Sequence, residues 1–291
     1  MKEEQKLNEY HLIECPRDAM QGWKKFIPTK DKIEYINSLL RVGFHTIDFG
    51  SFVSPKAIPQ MSDTKEVVSN LDFGNSKTKL LAIVANARGA EEACQYEAIT
   101  YLGFPFSISP VFQQRNTNSS MEESMQRIIA IRELCSIHKK EMVVYLSMAF
   151  GNPYGDAYNE DVLLHWAGEM ARQEIKIISL ADTVGLATPA QISFALQTIS
   201  GNYPETEIGV HLHAAPHAWL EKTEAALTAG CTRFDGALKG FGGCPMADDR
   251  LVGNVAMEEM IRFFKEKDLI NNLDGEALAH SLTLAGKIFV D

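Results

Sequence analysis

The chain has 291 residues, a formal net charge of −10, 45% hydrophobic residues and 23% charged residues. That length suits one α/β barrel with a large core, and the acidic balance speaks against a nucleic-acid partner, whose footprint is basic. No apolar run reaches the roughly 18–20 residues of a membrane span. The opening MKEEQKLNEY lacks a secretory apolar stretch. Five cysteines without a C-x-x-C argue against a disulfide framework or zinc ribbon. A cytoplasmic protein with no membrane or nucleic-acid partner is expected. A local cationic cluster can still receive an anionic small molecule.

In chain order, β-like runs fall at 11–15, 43–49, 79–85, 104–109, 141–147, 175–181, 206–213 and 231–238. Amphipathic helical stretches lie between them. In 31–41, Ile33, Ile36, Leu39 and Leu40 share one face; in 121–135, Met121, Met125, Ile128, Ile129 and Leu134 do much the same. The stretch 188–199 opens with Thr188 as N-cap and Pro189 in the first helical position. The stretch 257–265 carries Met260, Ile261 and Phe264. Strands alternating with helices predict an α/β fold, a (β/α)8 TIM barrel. A doubly wound open sheet is the alternative, but no G-x-G-x-x-G follows the first strand. Residues 1–291 are expected to form a single barrel domain, with a C-terminal helix after about 270 flanking it.

Strand interiors read as almost wholly apolar, and polar residues gather where strands end. Arg17 and Asp18 follow the first strand, Asp48 and Ser51 the second, and Arg115 and Asn116 the fourth. Asn152 follows the fifth strand and Asp182 ends the sixth. The seventh ends in IGVHLH, with His211 and His213, and the eighth leads to Cys244 and Asn254. In a barrel, the strand C-terminal ends are the usual seat of chemistry. Residues i and i+2 of a strand share a face, so His211 and His213 can grip one ion. Two hydrogen-bonded core histidines are the plainer alternative. Adding Asp18 and the amide oxygen of Asn254 makes a set richer in oxygen than a structural zinc site. Such a set suits Mg²⁺ or Mn²⁺ and leaves positions for substrate.

Other residues carry two readings. Arg17 is either the ion-pair partner of Asp18 or a guanidinium placed for a developing oxyanion. Cys244 is either a small turn residue or a thiol on a closing loop hinged at Gly240, Gly242 and Gly243. Asp182 either caps the next helix and anchors the barrel mouth, or orients a histidine or Arg17.

The segments PRD-x-x-Q (16–21), TIDFGSFVSPKAIPQM (46–61), MEESMQR (121–127), ISLADTVGLATP (178–189), VHLH (210–213) and GFGGCPMADDRLVGN (240–254) together resemble the 3-hydroxy-3-methylglutaryl-CoA lyase family. That family sits within a superfamily of metal-dependent barrel lyases and synthases. The resemblance runs over about 10 to 285 and implies a (β/α)8 barrel that cleaves a 3-hydroxy-3-methylglutaryl-CoA-like thioester to acetyl-CoA and a ketoacid. It implies a divalent metal, Mg²⁺ or Mn²⁺, on Asp18, His211, His213 and Asn254. It further implies Arg17 as enolate stabiliser, Cys244 as loop thiol, His211 or a nearby acid as base, and Asp182 and Asp48 as acidic groups at the mouth. The substrate partner is an acyl-CoA, and a homo-oligomer is expected with no interface located. An aldolase or acyl-CoA synthase of the same superfamily and a non-catalytic acyl-CoA-binding descendant are the alternatives. The chain departs from the family at Ala214-Ala215-Pro216 after the histidines, at Ala19-Met20-Gln21-Gly22 after PRD, at Ile13, at Asp48 and at Asn152. These departures bear on substrate choice, because the expected ligands survive them.

Overall fold

The computed structural model describes residues 10–243 and 252–290. Eight strands close into a barrel in sequence order, every neighbouring pair parallel. They are β1 (His11–Glu14), β2 (Thr46–Ser51), β3 (Lys79–Ile83), β4 (Ile99–Ser107), β5 (Glu141–Ser147), β6 (Ile177–Asp182), β7 (Glu207–Leu212) and β8 (Arg233–Gly236). The expected (β/α)8 architecture is present. The fourth strand starts five residues before the run 104–109 suggests. Gly103 hides it from the sequence pattern. A Cβ there would meet Ile83 Cδ1 at 2.6 Å, so the strand gives up a side chain where β3 crowds the barrel axis.

The helix Pro189–Asn202 begins as expected: Thr188 accepts from the Gln191 amide in a capping box, and Pro189 is the first helical residue. The C-terminal helix Gly275–Ile288 is capped by Asp274, whose side chain accepts from the Glu276 and Ala277 amides. It packs on the helix Thr29–Val42, where Ser38 Oγ and Ser281 Oγ meet at 2.8 Å. Most buried apolar side chains form one large cluster, with Leu12, Ile47, Phe104 and Val210 among its strand members and Leu39, Ile128 and Ile192 among its helix members. A separate small cluster of Leu81, Ile83, Tyr101, Val143, Tyr145 and Ile177 draws on β3 to β6 and fills that side of the barrel interior.

The expectation of apolar strand interiors fails on the other side. Arg233 and Asp235 lie on one face of β8, and Arg233 is fully buried. Room for it comes from Gly209 on the neighbouring strand, where a Cβ would stand 2.9 Å from the Arg233 side chain. Glu207 Oε2 faces the guanidinium at 3.7 Å. Charged side chains of β7 and β8 thus stand in the interior beside the small apolar cluster.

Candidate active site

Asp18 sits in the short helix Pro16–Gln21, which starts directly after β1 because Pro16 supplies a preset first helical residue. His211 lies in β7, and His213 follows it in a bridge to Asn254. One donor atom from each of Asp18, His211 and His213 lies within 4.8 Å of the others, and all three residues are buried. The two histidine Nε2 atoms face one another at 3.2 Å. Their Nδ1 atoms are held from behind, that of His211 by Asp235 Oδ2 at 3.1 Å and that of His213 by the Thr183 carbonyl at 3.1 Å. Such outer contacts fix which ring nitrogen a cation would meet.

Asn254 donates through Nδ2 to Asp18 Oδ2 at 2.7 Å and to the Phe241 carbonyl at 2.8 Å. Its Oδ1 is buried and has no hydrogen-bond partner among the described residues. A bare buried acceptor is costly, and a cation beside the histidines would satisfy it. The start of the glycine loop presses on this corner. A Cβ at Gly242, whose φ is +102°, would stand 2.6 Å from Asn254 Nδ2 and 2.9 Å from the Asp18 carbonyl oxygen. Cys244 lies outside the described residues.

Arg17 is tied to two acids. Its Nε and Nη2 reach Asp48 Oδ2 at 3.0 and 2.5 Å, and its Nη1 reaches Asp18 Oδ1 at 3.1 Å. These charges outweigh the cost of burial and keep the guanidinium protonated. Burial opposes ionisation of Asp18, but the charges of Arg17 and both histidines pull it down to about 2. Burial, then the charge of His211, pushes His213 down to about 4. Burial also works against the His211 imidazolium, yet the hydrogen bond and charge of Asp235 outweigh it and raise its pKa. A cationic guanidinium, an ionised carboxylate and two imidazoles with opposite tendencies thus share one buried corner.

The corner opens on a cavity of about 190 Å³. Arg17, Asp18, His211 and His213 form its polar wall, and Val53, Ile83, Phe112 and Tyr145 are among its apolar lining. Asp48 stands behind Arg17 and is not among the lining residues. The contact that orients a histidine, one of the two readings of Asp182, is made by Asp235. Asp182 itself accepts from Lys222 Nζ at 2.7 Å and from the Ala187 amide at 3.0 Å, the anchoring alternative. Of the other strand-end residues, Asn116 lines the cavity, while Asn152 closes a local turn by accepting from the Tyr154 and Asp156 amides. Ser51 Oγ donates to the Ile83 carbonyl at 3.3 Å, and Arg115 stacks over Tyr154.

Sequence reasoning missed Asp235, Thr183, Tyr145 and Lys222. For Asp235 a signal existed: charged residues two apart, Arg233 and Asp235, inside an otherwise apolar strand. A lysine in an amphipathic helix ordinarily reaches water, but Lys222, in the helix Trp219–Thr228, is buried and donates to Asp182, the Gly185 carbonyl and the His213 carbonyl.

Fold and site together define a (β/α)8 barrel with a candidate cation-binding cluster at its C-terminal mouth. A model of the HMGL-like family matches residues 13–284, and the chain belongs to that family as a moderately divergent member. It is 32% identical over 266 residues to a hydroxymethylglutaryl-CoA lyase of Bacillus subtilis, covering 90% of this chain and 87% of that protein. A 3-hydroxy-3-isohexenylglutaryl-CoA/hydroxymethylglutaryl-CoA lyase of Pseudomonas aeruginosa is 30% identical over 268 residues, covering 92% of this chain and 88% of that protein. Among solved structures, an HMG-CoA lyase from Acinetobacter baumannii in complex with coenzyme A and 3-methylmalate superposes with a TM-score of 0.89 at 29% identity, covering 98% of this chain and 92% of that one. No helix among the described residues is long and apolar enough to cross a membrane.

Proposed function

We propose that the chain is a divalent-metal-dependent carbon–carbon lyase that cleaves a 3-hydroxy-3-methylglutaryl-CoA-like thioester to acetyl-CoA and a ketoacid. The observation that carries this reading is the donor set at the mouth: Asp18, His211 and His213 within 4.8 Å of one another, beside the bare Oδ1 of Asn254. Two imidazoles and two oxygens suit Mg²⁺ or Mn²⁺. When bound, such an ion supplies Lewis acidity to a substrate hydroxyl and carboxylate.

The chain's own residues do the rest. Asp18, His211, His213 and Asn254 would hold the ion. Asp235 and the Thr183 carbonyl fix the two rings at Nδ1, which would leave Nε2 of each for it. The substrate hydroxyl gives its proton to a base at this corner, His211 or an acid near it, the C–C bond breaks as that oxygen becomes a ketone, and the electron pair passes to the thioester as an enolate. Arg17 stabilises that charge, an interaction of a kind worth roughly 3–4 kcal/mol. Asp48 fixes the plane of the guanidinium from outside the cavity. Cys244, the loop thiol, is the candidate donor or relay of a proton to the enolate carbon. Acyl-CoA binding is supported by the coenzyme A complex of the Acinetobacter baumannii enzyme, and a cytoplasmic location remains part of the proposal.

The deciding experiment measures acetyl-CoA release from a small panel of 3-hydroxyacyl-CoA thioesters, after chelation and after Mn²⁺ or Mg²⁺ is restored. Release from a 3-hydroxy-3-methylglutaryl-type thioester that vanishes on chelation and returns with metal is expected. Metal-independent release, or none from any thioester, refutes the reading.

A further inference from the structure

His211 has two working edges. Its Nε2 faces His213, and its Nδ1 faces Asp235. A third side chain stands by the Asp235 edge and plays no part in the chemistry above. Cys15 follows β1, is fully buried, and has a donor atom within 4.8 Å of those of His211 and Asp235. Among the described residues its Sγ makes only a long contact, 3.6 Å, to the Ile13 carbonyl. The other oxygen of Asp235, Oδ1, is buried with no hydrogen-bond partner among the described residues. A carboxylate oxygen left bare in an interior signals a missing donor or cation.

We propose that Cys15, His211 Nδ1 and Asp235 form a second, inner metal position that takes a thiophilic divalent ion such as Zn²⁺ or Cd²⁺ and thereby inhibits the enzyme. One thiolate, one imidazole and one carboxylate make a softer set than the outer one, and zinc binds all three donor types. Mg²⁺ and Mn²⁺ prefer oxygen and leave the thiol protonated. An arriving cation takes the place of the thiol proton. The S–H bond breaks as a sulfur–metal bond forms and the thiol proton leaves to solvent; the Nδ1 proton that Asp235 accepts shifts to Nε2 as Nδ1 binds the ion, and nothing is oxidised or reduced. Once Nδ1 is bound to the inner ion, Asp235 no longer holds the ring for the outer centre, and the outer centre fails with it. The inhibitory half rests on the lyase reading, whereas occupancy of the inner position does not.

The test uses the full chain with Mn²⁺ saturating, titrated with Cd²⁺ while the ultraviolet thiolate-to-cadmium charge-transfer band is followed. Wild type and Cys244→Ser are expected to develop the band with one Cd²⁺ per chain. Cys15→Ser, or Cys15→Ala if the serine variant does not fold, is expected to lose it. Asp235→Asn should weaken Cd²⁺ about tenfold or more. Mn²⁺-supported turnover of the Cys15 variant should stay within about twofold of wild type, while the Zn²⁺ concentration for half-inhibition rises about tenfold or more. A band undiminished in the Cys15 variant, or absent from wild type, overturns the inner position. Should no thioester be cleaved at all, the cadmium band still decides it.

Discussion

His211 and His213 turn their Nε2 atoms toward each other across 3.2 Å, each ring pinned from behind at Nδ1. Two imidazoles fixed in that pose are poorly placed to satisfy one another and well placed to share a cation with Asp18. Asp18→Asn and His213→Ala are therefore expected to abolish metal-dependent turnover and to weaken Mn²⁺ binding at least tenfold by calorimetry. Retained activity with metal still bound would remove these residues from the centre.

Arg17→Met is expected to cut kcat about 10²–10³-fold, the range found for losing one donor to a developing oxyanion. The single variant also strands Asp48, a buried carboxylate whose partner it deletes, and such a loss typically costs about 3–5 kcal/mol of stability. Arg17→Met with Asp48→Asn should restore most of the stability and none of the rate. Urea melts beside turnover measurements separate the two effects; a double variant with near-normal kcat would take Arg17 out of the mechanism.

Lys222 ties the ends of β6 and β7 together through Asp182, the Gly185 carbonyl and the His213 carbonyl. Lys222→Met leaves the Asp182 carboxylate unpaired and should destabilise the fold by about 3–5 kcal/mol, with Asp182→Asn in the same chain recovering much of it. Additive losses in a double-mutant cycle would show that the pair is not coupled.

His45 gives a pH prediction at the opposite end of the barrel. It stacks on His11 with ring centroids 3.7 Å apart. Burial, then the charges of His11, Arg233 and Lys79, pushes it down to about 3 from an ordinary 6.5. The unfolded chain thus takes up this proton below pH 6.5 while the native chain refuses it until about pH 3. Its contribution is complete above pH 6.5 and is lost as pH falls through that window. His45→Phe keeps the stacking surface and should flatten the fall in urea-derived stability between those limits. Parallel pH profiles for the two proteins would contradict this.

Much of the barrel could be read from periodicity, because its strands are buried on the helix side and its helices carry one apolar face. Asp18, His211, His213 and Asn254 were legible as a set because strand ends and i, i+2 spacing bring such residues together in any barrel. Asp235 was not, since its meaning depends on β8 lying beside β7 at one register, with Asp235 level with His211. Lys222 was hidden for a related reason: a lysine on an amphipathic helix usually reaches water, and only the fold reveals three acceptors around its ammonium. Gly103 shows the converse, a residue that weakens a strand signal because the barrel interior has no space for a side chain there.

The fit between Gly209 and Arg233 has a genetic consequence. With 2.9 Å between the Arg233 side chain and the place a methyl group at 209 would occupy, neither position is free to drift alone. A larger residue at 209 becomes tolerable only in a chain that has already shortened residue 233, so among descendants of this sequence the two sites should change as a pair and in that order.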